Sequence, residues 1–264
     1  MPGTTGPSTR HPHTLMETYL SHAGDFAADD ASTDYPLRPD GWFFLSGLDV
    51  VSASATGTIV AFGDSITDGY SSTPLTNRRY PDYLARRLWT ASSGAPALGV
   101  VNAGLAGNSV LVDGGAVTGL SAVKRFAHDA LSHPGVKGVI LMEGVNDINT
   151  TRNPPVTSWD LRAAHQTMID AAHATGVKVY GGTLLPYGGS LQRTPAREAT
   201  RQAFNNWIRT SGAFDGVVDF DAALRDPAHP SAMLPAYAHS DKLHPNDARM
   251  QAMANAVDLT MITS

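Results

Sequence analysis

Short apolar runs alternate with amphipathic segments along most of this chain, and this alternation is the feature that most restricts its fold. The apolar runs are predicted as strands, at 58–65, 98–104, 136–147, 177–186 and 216–220. The amphipathic segments are predicted as helices, at 80–92, 119–131, 158–176, 194–212 and 245–260. Strands that are apolar throughout and alternate with helices are typical of a parallel sheet with helices on both faces. We therefore expect an α/β fold.

Two of the predicted helices carry recognisable end signals. The helix over 158–176 has Ser158 or Asp160 as a possible cap, and Gly176 is suited to a left-handed turn at its end. The helix over 194–212 has Thr194 as its cap and Pro195 at its first position.

The composition excludes several classes of protein. The 264 residues are 42% hydrophobic and 16% charged, which allows a substantial core and argues against general disorder. Lys and Arg together number 19 and Asp and Glu 24, so the net charge is −5. An acidic chain without a basic tract is not expected to have nucleic acid as its main partner. The absence of cysteine excludes disulfides, thiolate catalysis and Cys-ligated zinc.

The N-terminal part of the chain differs from the rest. Residues 1 to about 40 are rich in small and polar residues, which indicates a loosely packed arm. The segment 41–53, GWFFLSGLDVVSA, has the aromatic and β-branched content of a strand, which is not stable without a partner. We therefore expect a partly extended arm over 1–54 and one main domain over 55–264.

The sequence leaves the cellular compartment open. No apolar stretch reaches the roughly 18 residues that a membrane helix needs. The N-terminus lacks the charged-then-apolar order of a signal peptide. We expect a soluble protein, secreted if a signal peptide was removed and otherwise cytoplasmic.

Small and polar residues follow the predicted strands where a parallel sheet places its binding site. The first strand ends in Gly63-Asp64-Ser65, the second leads into NAGLAGN at 102–108, and the third into EGVND at 143–147. DKLHP follows at 241–245, after the last strand. A hydroxyl, a glycine N–H, a side-chain amide and an imidazole together suit acyl transfer.

These stretches resemble the motif blocks of the SGNH/GDSL hydrolases, a family of esterases and lipases. GDSI resembles the nucleophile block, with Ile66 where Leu is typical; NAGLAGN resembles the glycine block, and GVND and DKLHP the two later blocks. Their order and approximate spacing agree, over about residues 57–264. The resemblance implies a three-layer α/β/α fold with a flavodoxin-like parallel sheet of about five strands. It also implies that the arm is the remnant of an accessory β domain.

The resemblance assigns a catalytic triad to three residues. Ser65 would be the nucleophile, His244 its general base, and Asp241 the carboxylate that orients His244. A three-residue offset is short enough for a turn to bring the carboxylate of Asp241 to Nδ1 of His244. The local sequence alone leaves a second interpretation for Ser65, which is the cap of a following helix.

The resemblance also assigns an oxyanion hole. Its donors would be the backbone N–H of Ser65, the N–H of Gly107 and the side-chain amide of Asn146. Gly104 is the alternative to Gly107, which we prefer because Asn108 follows it, where the family usually carries a polar residue.

The implied activity is that of a serine esterase acting on a small-molecule ester, with no cofactor and no metal. The absence of a long apolar lid favours short acyl groups, such as acetyl, and carbohydrate esters are among the candidates. The sequence does not specify the oligomeric state.

The main alternative is a metal-dependent hydrolase of phosphate or ester bonds. Its ligands would come from Asp64, Asn146, Asp147, Asp241 and His244. Only one histidine lies in a strand-end motif, which counts against this alternative.

Several polar residues near these motifs also have structural interpretations. We expect Asp64 to hydrogen-bond within its loop and Asp147 to brace the Asn146 loop through backbone N–H groups. Asp68 is expected at a turn or cap. Glu143 lies either in the cleft or at a solvated strand end, and His239 is the further histidine that could line the rim.

Overall fold

The protein is described from a computed structural model, which covers residues 10–11, 14–39, 41–51, 55–91, 98–237 and 239–263. The chain divides into two compact units. The smaller unit comprises Met1–Asp49 and Thr73–Asn77, and the larger unit comprises Val50–Ser72 and Arg78–Ser264.

The smaller unit contains a short two-stranded sheet. Strand β1 (Arg10–His11) pairs antiparallel with β2 (Trp42–Phe43). The predicted strand over 41–53 is therefore wrong in its extent, because residues 44–51 form neither strand nor helix and residues 52–54 lie outside the described residues. Its aromatic content indicated a strand, but β1 supplies a partner for two residues only. The arm over 1–54 and its origin in an accessory domain stay predictions.

The larger unit is built on one parallel sheet, as the sequence predicts. Its strands are β3 (Gly57–Gly63), β4 (Leu98–Gly104), β5 (Val136–Met142), β6 (Lys178–Gly182) and β7 (Gly216–Val218). Their order is β4-β3-β5-β6-β7, and every neighbouring pair is parallel. This is the flavodoxin-like order of an α/β fold.

Helices connect these strands. Within the described residues they are α1 (Ser65–Asp68), α2 (Tyr80–Ala91), α3 (Gly115–Thr118), α4 (Ala122–Phe126), α5 (Val145–Asn149), α6 (Ser158–His173), α7 (Pro195–Thr210), α8 (Phe220–Leu224), α9 (Asp247–Ala256) and α10 (Leu259–Thr263). A π-helical segment, Ala127–Leu131, continues α4. The predicted third strand, 136–147, thus ends earlier than expected and leads into α5.

The helix ends follow capping chemistry. Thr194 caps α7 and Pro195 is its first residue, as predicted. The cap predicted for α6 is wrong, because Thr157 occupies the N-cap and Asp160 bonds back to it in a capping box. Ser158 is the first residue of the helix instead.

The helices lie on both faces of the sheet. Helix α2 packs against α9, whereas α4 and α7 both pack against α6. The crossover from β3 to β4 runs in one direction along the sheet, and the crossovers from β4 to β7 run in the other. Right-handed crossovers in opposite directions lie on opposite faces, so α2 lies on one face and α4, α6 and α7 lie on the other. Between them β3 and β5 are almost entirely buried, while β4 at the edge is partly exposed.

The strand order also locates the candidate site. The chain leaves β3 for β4 on one side and later enters β5 on the other side. A crevice opens at the carboxyl ends of the strands where the order reverses in this way. The three segments that follow β3, β4 and β5 meet there. None of the described helices combines the length and the apolar character that crossing a bilayer requires.

Candidate active site

A sharp turn presents Ser65 at the carboxyl end of β3. The strand ends at Gly63, and a Cβ there would lie 2.2 Å from Thr67 Oγ1 and 2.6 Å from the carbonyl oxygen of Met142. Asp64 occupies the N-cap of α1, and its carboxylate accepts the N–H of Ile66 at 2.9 Å. The interpretation of Ser65 as the helix cap is therefore wrong, because Asp64 has that role.

The structure brings three of the predicted site residues together. Ser65 Oγ lies 2.9 Å from His244 Nε2, and His244 Nδ1 lies 2.6 Å from a carboxylate oxygen of Asp241. An ionised carboxylate only accepts hydrogen bonds, so the proton of the neutral imidazole is on Nδ1. Nε2 is then an acceptor for the hydroxyl proton of Ser65.

A tight turn holds Asp241 against His244. The other carboxylate oxygen of Asp241 accepts the backbone N–H groups of Leu243 and His244, each at 3.0 Å. Lys242, the residue directly after Asp241, has φ +59° in the left-handed region, which a non-glycine residue rarely adopts. The short sequence offset thus becomes a direct contact through strained local backbone.

The electrostatics favour a neutral imidazole beside an ionised carboxylate. Burial lowers the pKa of His244 below its usual value, although the hydrogen bond and the charge of Asp241 oppose this effect. Burial alone would raise the pKa of Asp241, but hydrogen bonds from the His244 ring and from two backbone N–H groups lower it well below its usual value. His244 is therefore available as a base at neutral pH.

Tyr70 also borders this cluster, although it lies outside the motifs that predicted the site. Its ring centroid lies 4.5 Å from that of His244, with the planes inclined at 50°. Gly69, in a left-handed conformation, ends α1 and turns the chain just before Tyr70. An aromatic residue directly after Gly69, the glycine that ends the short helix after β3, was the available signal.

The loop after β4 lies against α1. The N–H of Leu105 donates to the carbonyl of Gly63 at 2.9 Å, and a Cβ at Gly104 would lie 2.1 Å from the backbone nitrogen of Asp68. Gly104 is thus required for packing. Gly107 is exposed in the same loop, with φ +75° in the left-handed region.

Asn146 joins this loop from α5. Its Nδ2 donates to the carbonyl oxygen of Asn108 at 2.7 Å, next to Gly107. Asp147 accepts backbone N–H groups as predicted, but they belong to the loop after β4 rather than to the Asn146 loop: Val110 at 2.7 Å and Leu111 at 3.0 Å. The segments that carry Ser65, Gly107 and Asn146 are therefore joined by direct hydrogen bonds.

Buried acidic residues lie behind the site. Glu143 is fully buried, so its interpretation as a solvated strand end is wrong, and burial raises its pKa well above the usual value. Burial also raises the pKa of Asp147, and raises that of Asp64 to about 7 although the N–H of Ile66 opposes the change. Asp68, expected at a turn or cap, is instead the buried last residue of α1, whose caps are Asp64 and Gly69.

The alternative metal ligands do not form one cluster. Asp64 and Asp147 accept backbone N–H groups, whereas Asp241 bonds to His244. Across the described ranges, no three His, Asp or Glu side chains are placed to hold a metal ion together. His239 is half exposed beside His244, with Nδ1 at 3.4 Å from Asp241.

The fold and the site geometry define an α/β protein with a hydroxyl–imidazole–carboxylate cluster at the switch point of a parallel sheet. The GDSL-like lipase/acylhydrolase family matches residues 61–252, and the chain belongs to this family. It is therefore a carboxylic ester hydrolase. No match exists among the curated proteins compared with the chain.

Solved structures with this fold include several esterases. A lipolytic protein of the G-D-S-L family from Desulfitobacterium hafniense is 22% identical, with 75% of this chain and 96% of that chain covered and a TM-score of 0.56. An aryl esterase from M. smegmatis is 16% identical, with 76% and 95% covered and a TM-score of 0.58. A variant of an acetyl xylan esterase from Geobacillus stearothermophilus is 20% identical, with 77% and 93% covered and a TM-score of 0.58. At these identities the likeness concerns the fold.

Proposed function

We propose that this ester hydrolase is a serine esterase that cleaves short-chain acyl esters through Ser65, His244 and Asp241. The distance of 2.9 Å between Ser65 Oγ and His244 Nε2 carries the proposal. A serine hydroxyl reacts slowly until a base takes its proton. The contact of His244 Nδ1 with Asp241 leaves Nε2 free to act as that base.

In the first half of the reaction Ser65 Oγ attacks the ester carbonyl carbon while its proton passes to His244 Nε2. The carbonyl oxygen becomes an oxyanion, which accepts hydrogen bonds from the N–H groups of Ser65 and Gly107 and from Asn146 Nδ2. The Nδ2 group has two protons, so it can serve the oxyanion while bonded to Asn108. The loss of one such donor lowers turnover by roughly 10²–10³-fold in comparable sites.

The intermediate collapses when the bond to the alcohol oxygen breaks and His244 gives its proton to that oxygen. The acyl group is then held on Ser65 as an ester. Water attacks this acyl-enzyme, and His244 accepts one proton of the water and returns it to Ser65 Oγ. The products are an alcohol and a carboxylic acid, so the atoms balance without a cofactor.

The segments that border Ser65 support the proposed substrate class. The motif residues after β4 and β5 at this edge, NAGLAGN at 102–108 and EGVND at 143–147, are mainly glycine, asparagine and other small side chains. This favours acetyl and other small acyl groups over long chains. An acetyl xylan esterase and an aryl esterase are among the proteins of similar fold, which makes acetylated carbohydrates and aryl acetates the first substrates to test.

The test is turnover of p-nitrophenyl esters from acetate to palmitate by the wild type and Ser65→Ala, with and without a chelator. We expect kcat/KM to fall as the acyl chain lengthens, the variant to be almost inactive, and chelation to have no effect. Activity that survives in Ser65→Ala and disappears with the chelator would contradict the proposal and favour the metal-dependent alternative.

A further inference from the structure

Arg125 on α4 is a buried cation directly behind the candidate site. It is 5% exposed, and its guanidinium lies 3.9 Å from the centroid of the Phe62 ring. A buried arginine needs partners for its donors, because an unpaired charge in the interior is strongly unfavourable. The identity of these partners indicates what the residue does.

The hydrogen bonds of Arg125 connect β3 with β4 and the loop after it. Nη2 donates to the carbonyl of Gly63 at 2.9 Å, and Nη1 donates to the carbonyl of Ala103 at 2.9 Å. Nε donates to Asn108 Oδ1 at 2.8 Å. Gly63 lies two residues before Ser65, and Ala103 and Asn108 lie on either side of residues 104–107, which contain Gly107.

Asn108 carries this connection further. It is fully buried, and its Nδ2 donates to the carbonyls of Thr118 at 2.8 Å and Leu120 at 2.7 Å. Its own carbonyl accepts Asn146 Nδ2 at 2.7 Å. A movement of Asn108 would therefore change both the N–H direction of the preceding glycine and the position of the Asn146 amide.

Arg125 also lies close to Glu143, the residue directly after β5. Nη2 lies 3.5 Å from Glu143 Oε1, which has no hydrogen-bond partner within the described part of the chain. Glu143 Oε2 accepts the N–H of Gly144, the N-cap residue of α5, at 3.1 Å. Asp129 on the following π-helical segment is a second, partly exposed partner at 3.2 Å.

We propose that Arg125 is a positioning residue, which fixes the mutual placement of the segments that supply the oxyanion donors of Ser65, Gly107 and Asn146. This inference rests on the proposed function. Oxyanion donors act only when they are held within a few tenths of an ångström of the developing charge. A guanidinium offers five donors in a rigid fork, which a lysine cannot reproduce from a single ammonium group.

The experiment compares Arg125→Lys and Arg125→Gln with Arg201→Lys as the matched control. Arg201 is fully buried on α7 and bonds to Glu198 and Asp221, so Arg201→Lys disturbs a buried arginine network without contacting the site segments. Turnover of p-nitrophenyl acetate is expressed per active site, with sites counted by a covalent serine inhibitor. The affinity of a trifluoromethyl ketone, which forms an oxyanion adduct, is measured beside it.

We expect Arg125→Lys to lower kcat about 10²-fold with little change in KM, because misplacement by about 1 Å has such an effect. Affinity for the ketone should fall by a similar factor. Arg201→Lys should lower thermal stability and leave kcat per site unchanged. A role of Arg125 in stability alone would also leave kcat per site unchanged.

The proposal is overturned if Arg125→Lys keeps kcat per site within twofold of the wild type, or if Arg201→Lys lowers kcat equally. It is also overturned if neither Arg125 variant folds, because Arg125 would then be a structural residue. Turnover by Ser65→Ala tests the proposed function separately. An inactive Ser65→Ala beside a fully active Arg125→Lys would refute this inference alone.

Discussion

Asp241 holds His244 through both of its carboxylate oxygens, one on Nδ1 at 2.6 Å and the other on the backbone N–H at 3.0 Å. The first contact selects the imidazole tautomer and the second fixes the turn that carries the ring. A single side chain thus determines both the protonation pattern and the placement of the proposed base.

Replacement of Asp241 by asparagine tests this double contact. An amide presents an N–H to Nδ1 and favours the tautomer with its proton on Nε2, where it cannot accept the Ser65 proton. We expect Asp241→Asn to lower kcat by about 10²–10⁴-fold, the scale of the same change in a Ser-His-Asp triad. The measurement is steady-state hydrolysis of p-nitrophenyl acetate.

Asp226→Asn is the matched control, because Asp226 pairs with the exposed His229 at the same sequence offset, at 3.2 Å. It should leave kcat unchanged. Comparable losses in both variants would mean that Asp241 has no special role.

The pH dependence of kcat/KM should report the ionisation of His244. Burial lowers the pKa of His244 below 6.5, so the neutral base persists into mildly acidic solution. Activity should therefore fall on acidification with a midpoint below pH 6.5. A profile of kcat/KM from pH 4 to 8 with a stable ester provides the measurement, and a midpoint above pH 7 would be inconsistent with this environment.

Tyr70 should help to hold the imidazole. Removal of the ring that lies 4.5 Å from His244 leaves one side of the base without a packing partner. We expect Tyr70→Ala to lower kcat/KM about 2–10-fold, the range of an aromatic contact energy. Tyr70→Phe keeps the ring and should retain most of the activity. Equal losses in the two variants would assign the effect to the hydroxyl instead.

The buried guanidinium of Arg249 should reduce the stability of the folded protein. It is fully buried, and its three guanidinium nitrogens have no hydrogen-bond partner among the residues described. Burial lowers its pKa to about 9 although the charge of Asp241 opposes the change. Arg249→Met should raise the unfolding free energy by about 1–3 kcal/mol, measured by denaturant titration.

The same substitution in a paired arginine should have the opposite sign. Arg201→Met removes the partner of Glu198 and Asp221 and should lower the free energy of unfolding.

Arg249 should also affect the pH profile. Because the charge of Arg249 lowers the pKa of His244, Arg249→Met should move the acid limb of kcat/KM to higher pH. A loss of stability in Arg249→Met would show that the guanidinium has partners.

His165 should make stability depend on pH. It is buried on α6, donates from Nδ1 to the carbonyl of Leu161 at 2.8 Å, and burial lowers its pKa from 6.5 to about 4. The unfolded chain then binds more protons between these values, so the contribution of His165 is complete above pH 6.5 and is lost as the pH falls towards 4. The loss amounts to about 3 kcal/mol at 1.36 kcal/mol for each pKa unit.

His165→Phe removes the titrating group and keeps an aromatic ring beside Phe204. The difference in unfolding free energy between wild type and variant should therefore change by this amount between pH 7 and 4. A difference that does not vary with pH would mean that His165 is as easily protonated in the folded protein as in the unfolded chain.

The sheet was predictable because its signal is local and repeated. Short continuous apolar runs such as that in β5 are typical of buried strands. Their alternation with helices indicates that the strands pair in parallel. The strand over 41–53 was overestimated because aromatic content alone does not supply a pairing partner. The cap of α6 was misplaced at Ser158 or Asp160 because these residues and Thr157 are all good capping residues, and only backbone geometry distinguishes them.

The candidate site was predictable where its residues lie in short motifs at strand ends. Ser65 and His244 are far apart in the chain, but the parallel topology brings strand ends to one edge. Arg125 was not predictable in this way, because a charged residue on a helix is normally exposed. Its position on the same helical face as Ala122 and Phe126, both buried, was the weak signal that it faces the core.

Covalent labelling shows whether Ser65 is the nucleophile. The wild type and Ser65→Ala would each be incubated with a fluorophosphonate, followed by intact-mass measurement and peptide mapping. We expect one adduct per chain of the wild type, on the peptide that contains Ser65, with parallel loss of esterase activity and no adduct on Ser65→Ala. Full esterase activity in an unlabelled wild type, or an adduct on another residue that abolishes activity, would contradict it.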